Sequence, residues 1–116
     1  MAVLLLADGD RNFREALAIA LRLDGIAVRS QGSADAALDE LRRGGLDACL
    51  VDLRLPGADA LLDAALAAGL ATAVTGPHED LVAHAARRHP HTRALPKPFG
   101  PAEVAELLAA PVPATP

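Results

Sequence analysis

The chain has 116 residues, 11 of them Lys or Arg and 15 Asp or Glu, for a formal net charge of -4. That is the length of one domain, able to bury roughly two-thirds of its unfolded surface but with no room for a lid or a second domain. The acidic balance gives no electrostatic footprint for nucleic acid or an anionic membrane, Trp and Tyr are absent so that nothing is built on an aromatic platform, and no run approaches the ~18 apolar residues of a membrane span.

Short apolar runs alternate with longer segments of helical spacing, the signature of a βα repeat with a parallel sheet. MAVLLLADGD lacks the basic region of a signal peptide, and its apolar run Val3 to Ala7 predicts the first strand. A helix is expected from about Arg11 to Asp24, with Phe13, Leu17, Ala20 and Leu21 on one face, an Asn12/Glu15 capping box and a stop at Gly25. Ile26 to Arg29 is a weak second strand. Ser33 can cap a helix that turns Ala34, Ala37, Leu38 and Leu41 inward and ends at Gly44 and Gly45. Ala48 to Val51 is the third strand, and its Cys49 reads as a small buried hydrophobe in a reducing compartment, hence a cytoplasmic protein.

After the turn LRLPG, Asp59 can cap a short alanine-rich helix that stops at Gly69, and Ala71 to Val74 supplies a fourth strand. His78 to His89 predicts a fourth helix with Leu81 and Ala85 inward, joined by Val82 and Ala86, and closed by Arg87 and Arg88 where the helix dipole favours cations. The four histidines, His78, His84, His89 and His91, lack the spacing and the cysteine partners of a zinc site and are expected on solvated positions. Arg93 to Leu95 is a short fifth strand, and Pro101 opens a last helix buried through Val104, Leu107 and Leu108. The domain is expected to span 1-110, with the Pro-rich PVPATP at 111-116 as a tail or linker.

Each apolar run stops at a polar residue: Asp8, Asp52, Thr75 and, after Pro96, Lys97. In a parallel sheet these ends share one edge, where ligands bind in such folds. Two carboxylates, a hydroxyl and an ammonium suit a phosphoryl group, with Asp52 as nucleophile, Thr75 and Lys97 on the phosphoryl oxygens, and a divalent cation between Asp8 and Asp52. Magnesium is the natural cation, since it takes oxygen ligands and needs only one or two carboxylates. Gly76 beside Thr75 is expected to leave the pocket open.

LVDLRLPGAD at 50 to 59, AVTG at 73 to 76 and LPKPF at 95 to 99 resemble the receiver domain of two-component response regulators, of the chemotaxis-regulator type, over residues 2 to about 109. The resemblance implies a doubly wound, flavodoxin-like α/β fold: a five-stranded parallel sheet of order 2-1-3-4-5 with about five helices. It also implies Asp52 as the phosphorylated aspartate, Thr75 as the switch hydroxyl, Lys97 as the phosphate-binding lysine, and Asp8, Asp52 and the Arg54 carbonyl as Mg2+ ligands. The implied partners are a histidine kinase or phosphotransfer protein and an output protein or domain docking on the face of helix 4, strand 5 and helix 5. A homodimer is also allowed.

Three departures bear on that reading. Gly9 replaces the second acidic residue of the family's pair, which weakens the expected Mg2+ site and leaves Asp10 either as a displaced ligand or as the cap of the first helix. Ala94 stands where the family commonly carries an aromatic switch residue. The stretch from Asp52 to Thr75 is shorter than in the family by about seven residues, about two helical turns, so a shortened third helix is expected. A pseudo-receiver that binds partners without phosphorylation is therefore the alternative function. A minor alternative is a haloacid-dehalogenase-like phosphatase, in which ADGD supplies Asp8 as nucleophile and Asp10 as acid/base.

Overall fold

The computed structural model describes residues 1-109; the Pro-rich tail expected at 111-116, and the domain boundary drawn at 110, lie outside the described residues. Strands and helices alternate strictly: β1 (Val3–Ala7), α1 (Arg11–Leu23), β2 (Ala27–Gln31), α2 (Ala34–Arg43), β3 (Ala48–Asp52), α3 (Ala58–Ala67), β4 (Ala71–Gly76), α4 (Glu79–Arg88), β5 (Thr92–Pro96) and α5 (Pro101–Ala109). The five strands form one sheet of order β2-β1-β3-β4-β5, and each neighbouring pair is parallel. The chain therefore steps outward once to β2 and then in the opposite direction from β3, which leaves a switch point beside β1.

Side-chain alternation along the strands sorts the core into two layers. Leu5, Ala7, Cys49, Val51 and Val74 face α2, α3 and α4, meeting Ala37, Leu61, Leu62, Ala65 and Val82. Leu4, Leu6, Ala48, Leu50 and Ala73 face the opposite way, onto Leu17, Ala18 and Leu21 of α1 and Val104 and Leu107 of α5. Small residues let the helices sit close to the sheet, and the fully buried leucines supply most of the burial; truncating one to Ala costs about 2 to 5 kcal/mol. Cys49 is buried in the first layer, and burial pushes its thiol up to about 12, so it stays an inert hydrophobe.

Several local expectations are corrected. Asp10, not Asn12, caps α1 by accepting from the Phe13 N–H; Glu15 instead pairs with Arg11 on the surface. Gly57, at φ 86°, occupies the N-cap position of α3, so Asp59 lies inside the first turn and its side chain is free to reach elsewhere. Leu81 points to solvent while Val82 fills the core, because α4 is rotated by one residue from the face expected for it. Ala18 is buried in α1, with Ala20 at the margin. The strands β2, β3, β4 and β5 each run further at the carboxyl end than their apolar cores, since ladder hydrogen bonds continue into polar residues. The third helix, α3, has ten residues.

Candidate functional site

Alternation and register together bring the polar residues to one point. Leu4, Leu6, Leu50 and Ala73 face α1 and α5, so Asp8, Asp52 and Thr75, which continue the same parity, lean to that side at the carboxyl edge. Ala7 pairs with Val51 and Asp52 with Thr75, which puts the three side by side on β1, β3 and β4. Leu95 pairs with Thr75, and Lys97 follows two residues later with its N–H donating to the Gly76 carbonyl at 2.8 Å. Lys97 is joined to Pro98 by a cis peptide bond.

The Lys97 ammonium lies 2.8 Å from Asp8 Oδ2 and 3.2 Å from Asp52 Oδ2. Both carboxylates are almost wholly buried. The contact to Asp52 is a hydrogen bond, whereas the one to Asp8 Oδ2 is out of line, so that oxygen has an ionic neighbour but no hydrogen-bond donor. The other oxygens are held alike: Asp8 Oδ1 accepts from the Asp10 N–H and Asp52 Oδ1 from the Arg54 N–H, each at 2.8 Å and each two residues on. This Asx-type turn lets the chain leave each strand while holding the carboxylate still.

Arg54 adds a contact absent from the sequence reading, which assigned it only a carbonyl. Its guanidinium donates from Nη2 to Asp52 Oδ2 at 2.8 Å and from Nε to Oδ1 at 3.2 Å. Burial alone would raise the Asp52 carboxyl, but the hydrogen bonds from Arg54 and Lys97 outweigh it and hold the group below the usual carboxylate range.

Two further residues missed in the sequence position Lys97. Phe13 of α1 and Phe99, the only aromatic residues of the chain, meet edge-to-face at 5.6 Å between ring centroids. Lys97 Nζ stands 4.0 Å from the Phe13 centroid, a cation–π contact worth about 0.5 to 2 kcal/mol. Their scarcity was the available signal: two phenylalanines in the whole chain, one just after ADGD and one just after LPKP.

Gly76 does not open the pocket; a Cβ there would meet Leu53 at 3.0 Å and Val82 at 3.1 Å, so the glycine permits close packing under β4. A cleft of about 340 Å³ does open beside Asp52, lined by Gly9, Asp10, Gly32, Asp52, Arg54, Leu55 and Pro56. Asp10 borders this cleft, but its Oδ1 caps α1.

Among the described residues no three His, Cys, Asp or Glu side chains gather in a group able to hold a metal ion. The side-chain donors available to a hard cation are the Asp8 and Asp52 carboxylates, which share the Lys97 ammonium. Asp8 Oδ2, buried without a hydrogen-bond donor, makes this set fit Mg2+, which keeps several waters and needs one or two carboxylates.

The expectation of solvated histidines fails at His89. It is buried at the C-terminus of α4, with Nε2 2.8 Å from Asp59 Oδ1 and Nδ1 2.9 Å from Asp63 Oδ1, both on α3. Arg88 also reaches Asp59 at 3.4 Å, so the C-terminus of α4 is tied to α3 by charge and is not merely complementary to its own dipole. Ala94 is exposed on β5 and borders a depression of about 140 Å³ shared with Glu103, Glu106 and Leu107 of α5.

A doubly wound sheet of this order, with acidic residues, a threonine and a lysine along its carboxyl edge, defines a class: the chain has the CheY-like fold of response regulator receiver domains. No family model matches the chain, and no curated protein sequence matches it. Among solved structures it is similar to a response regulator receiver domain protein (CheY-like) from Methanospirillum hungatei JF-1, at 20% identity over 91% of this chain and 89% of that one, with a TM-score of 0.77. A receiver domain protein from Clostridium thermocellum matches at 20% identity over 93% and 91%, TM-score 0.78. NtrX from Brucella abortus, solved in complex with ADP, matches at 25% identity and TM-score 0.77 over 93% of this chain but only 27% of its own length. Among the described residues no helix is long and apolar enough to cross a membrane.

Proposed function

We propose that the chain is a phosphoacceptor receiver of a two-component signalling system, a regulatory module of the reducing cytoplasm that takes a phosphoryl group onto Asp52. The observation that carries this reading is the buried Asp52 carboxylate, contacted by the Lys97 ammonium at the carboxyl edge of a receiver fold and opening onto a cleft. A phosphohistidine on a kinase or phosphotransfer protein is the donor. An Asp52 oxygen attacks phosphorus, the new P–O bond forms as the P–N bond breaks, and imidazole leaves with the electron pair.

Lys97 then pairs with a phosphoryl oxygen, and the Thr75 hydroxyl, on the neighbouring strand position, donates to another. Asp8, Asp52 and the Arg54 carbonyl would hold Mg2+, which would supply neutralisation of the charge on the phosphoryl oxygens. The change of charge at the ends of β4 and β5 is read by an output partner on the face formed by α4, β5 and α5, where Arg93 and Ala94 are exposed. With no ring at position 94, the signal travels through the packing of α4 and β5.

Incubation of the chain with a small acyl phosphate and Mg2+, followed by intact-mass measurement, tests this. The expected result is one added phosphoryl group, absent in Asp52→Asn. A second reading, a pseudo-receiver that binds partners without phosphorylation, is favoured by Gly9 and by the Arg54 guanidinium already seated on Asp52; an unlabelled wild type decides for it.

A further inference from the structure

We propose that the Arg54 guanidinium is the resident counter-ion of the acidic pocket, competing with a divalent cation for Asp52 and swinging off that carboxylate before the cation binds. This rests on the reading of Asp52 and Asp8 as the metal-binding carboxylates, and concerns what this chain's own residues do toward that metal.

The charge count comes first. Asp8 and Asp52 contribute two negative charges, and Lys97 and Arg54, in contact with them, contribute two positive ones. With Gly9 adding no carboxylate, Asp8 and Asp52 are already neutralised from within and only Asp10 on the cleft rim is left over, which weakens the electrostatic well that a divalent cation needs. Geometry comes second. Arg54 engages both oxygens of Asp52, with Nη2 at 2.8 Å and Nε at 3.2 Å, so a cation reaching this carboxylate meets oxygens already occupied by the fork.

Mobility comes third. The Arg54 side chain is 51% exposed and borders the 340 Å³ cleft together with Gly9 and Gly32, which leaves room for the arm to withdraw without disturbing the core. Its partner Lys97 has no such freedom, being packed on Phe13 and mostly buried. Of the two cations on Asp52, Arg54 is therefore the one that yields. Once displaced, its planar fork is matched to the oxygens of a phosphoryl group on Asp52, so the same residue resists the metal in the resting state and can pair with phosphate afterwards.

The test is an Mg2+ titration of the full chain, followed by amide NMR shifts, on wild type, Arg54→Met and Arg54→Lys. Methionine keeps an unbranched arm but no charge, and Arg54→Met is expected to bind Mg2+ about tenfold more tightly, equivalent to about 1.4 kcal/mol. Arg54→Lys, which keeps the charge but loses the fork, is expected between the two. Equal or weaker binding in Arg54→Met overturns the proposal, and so does undetectable binding in all three, since Arg54 is then not what limits the metal. If Asp52 accepts no phosphoryl group while Arg54→Met still binds Mg2+ more tightly, the phosphoacceptor reading fails and the competition stands.

Discussion

Replacing Lys97 by methionine isolates the charge on which the site turns. Met keeps an unbranched apolar arm of similar length, so the change removes the ammonium together with its cation–π contact to Phe13. Two nearly buried carboxylates then lose a shared cation at 2.8 and 3.2 Å. Breaking a buried pair from one side costs about 3 to 5 kcal/mol, but Asp52 keeps Arg54, and only Asp8 is left without a cation. A loss of about 2 to 4 kcal/mol at pH 7 follows, a drop of roughly 10 °C in Tm for a domain of this size.

The pH dependence gives the sign. Asp52 is held below its ordinary value in the folded protein, so its contribution is present above the unfolded carboxylate value of about 4 and is lost as pH falls through the lower folded value. The share of the gap between wild type and Lys97→Met that Asp52 carries must therefore narrow as pH falls through that lower folded value. Urea unfolding at pH 7 and below pH 4 measures it, and Asp8→Asn added to Lys97→Met should recover much of the loss. A gap under about 0.5 kcal/mol at pH 7, the usual scale of a surface substitution, or one that does not change with pH, would refute the reasoning.

His89→Ala is expected to lower stability by about 1 to 2 kcal/mol, because it removes two hydrogen bonds to carboxylates that are themselves largely exposed. In the same variant the Asp59 carboxyl, held below its ordinary value first by the hydrogen bond to His89, should move up in a carbon-detected NMR titration; an unchanged midpoint means that the two residues do not meet in solution. Gly9→Asp fits without strain, since a Cβ there makes only an ordinary 3.7 Å contact with Leu55, and it should tighten Mg2+ binding by about tenfold or more. Affinity unchanged from wild type would show that a side chain at position 9 does not reach the carboxylates.

Much of this architecture was legible locally. The apolar runs placed all five strands, and their polar ends named Asp8, Asp52, Thr75 and Lys97, because a strand that leaves a covered sheet changes from buried to solvent-facing at its end. Period-2 alternation even assigns these four to one face once the register is known. Helix stops at Gly25, Gly44 and Gly69 were legible for a similar reason: each adopts a positive φ that other residues resist.

What remained hidden depends on how helices dock. Nothing near Arg54 in the chain says that its guanidinium turns back onto Asp52 and not into solvent, and both rotamers satisfy the same local sequence. His89 reads as a surface residue until α4 is laid against α3, which brings it to Asp59 and Asp63 some thirty residues away. The rotation of α4 that exposes Leu81 and buries Val82 is decided likewise, by the space left above β4. Sequence alone determined the elements, their glycine stops and the residues at the sheet edge, since hydrophobic periodicity and backbone preference act over a few residues. Only the tertiary structure decided which charges pair, since Coulombic and hydrogen-bonding partners are chosen by distance in space, and distance is set by the packing of the whole domain.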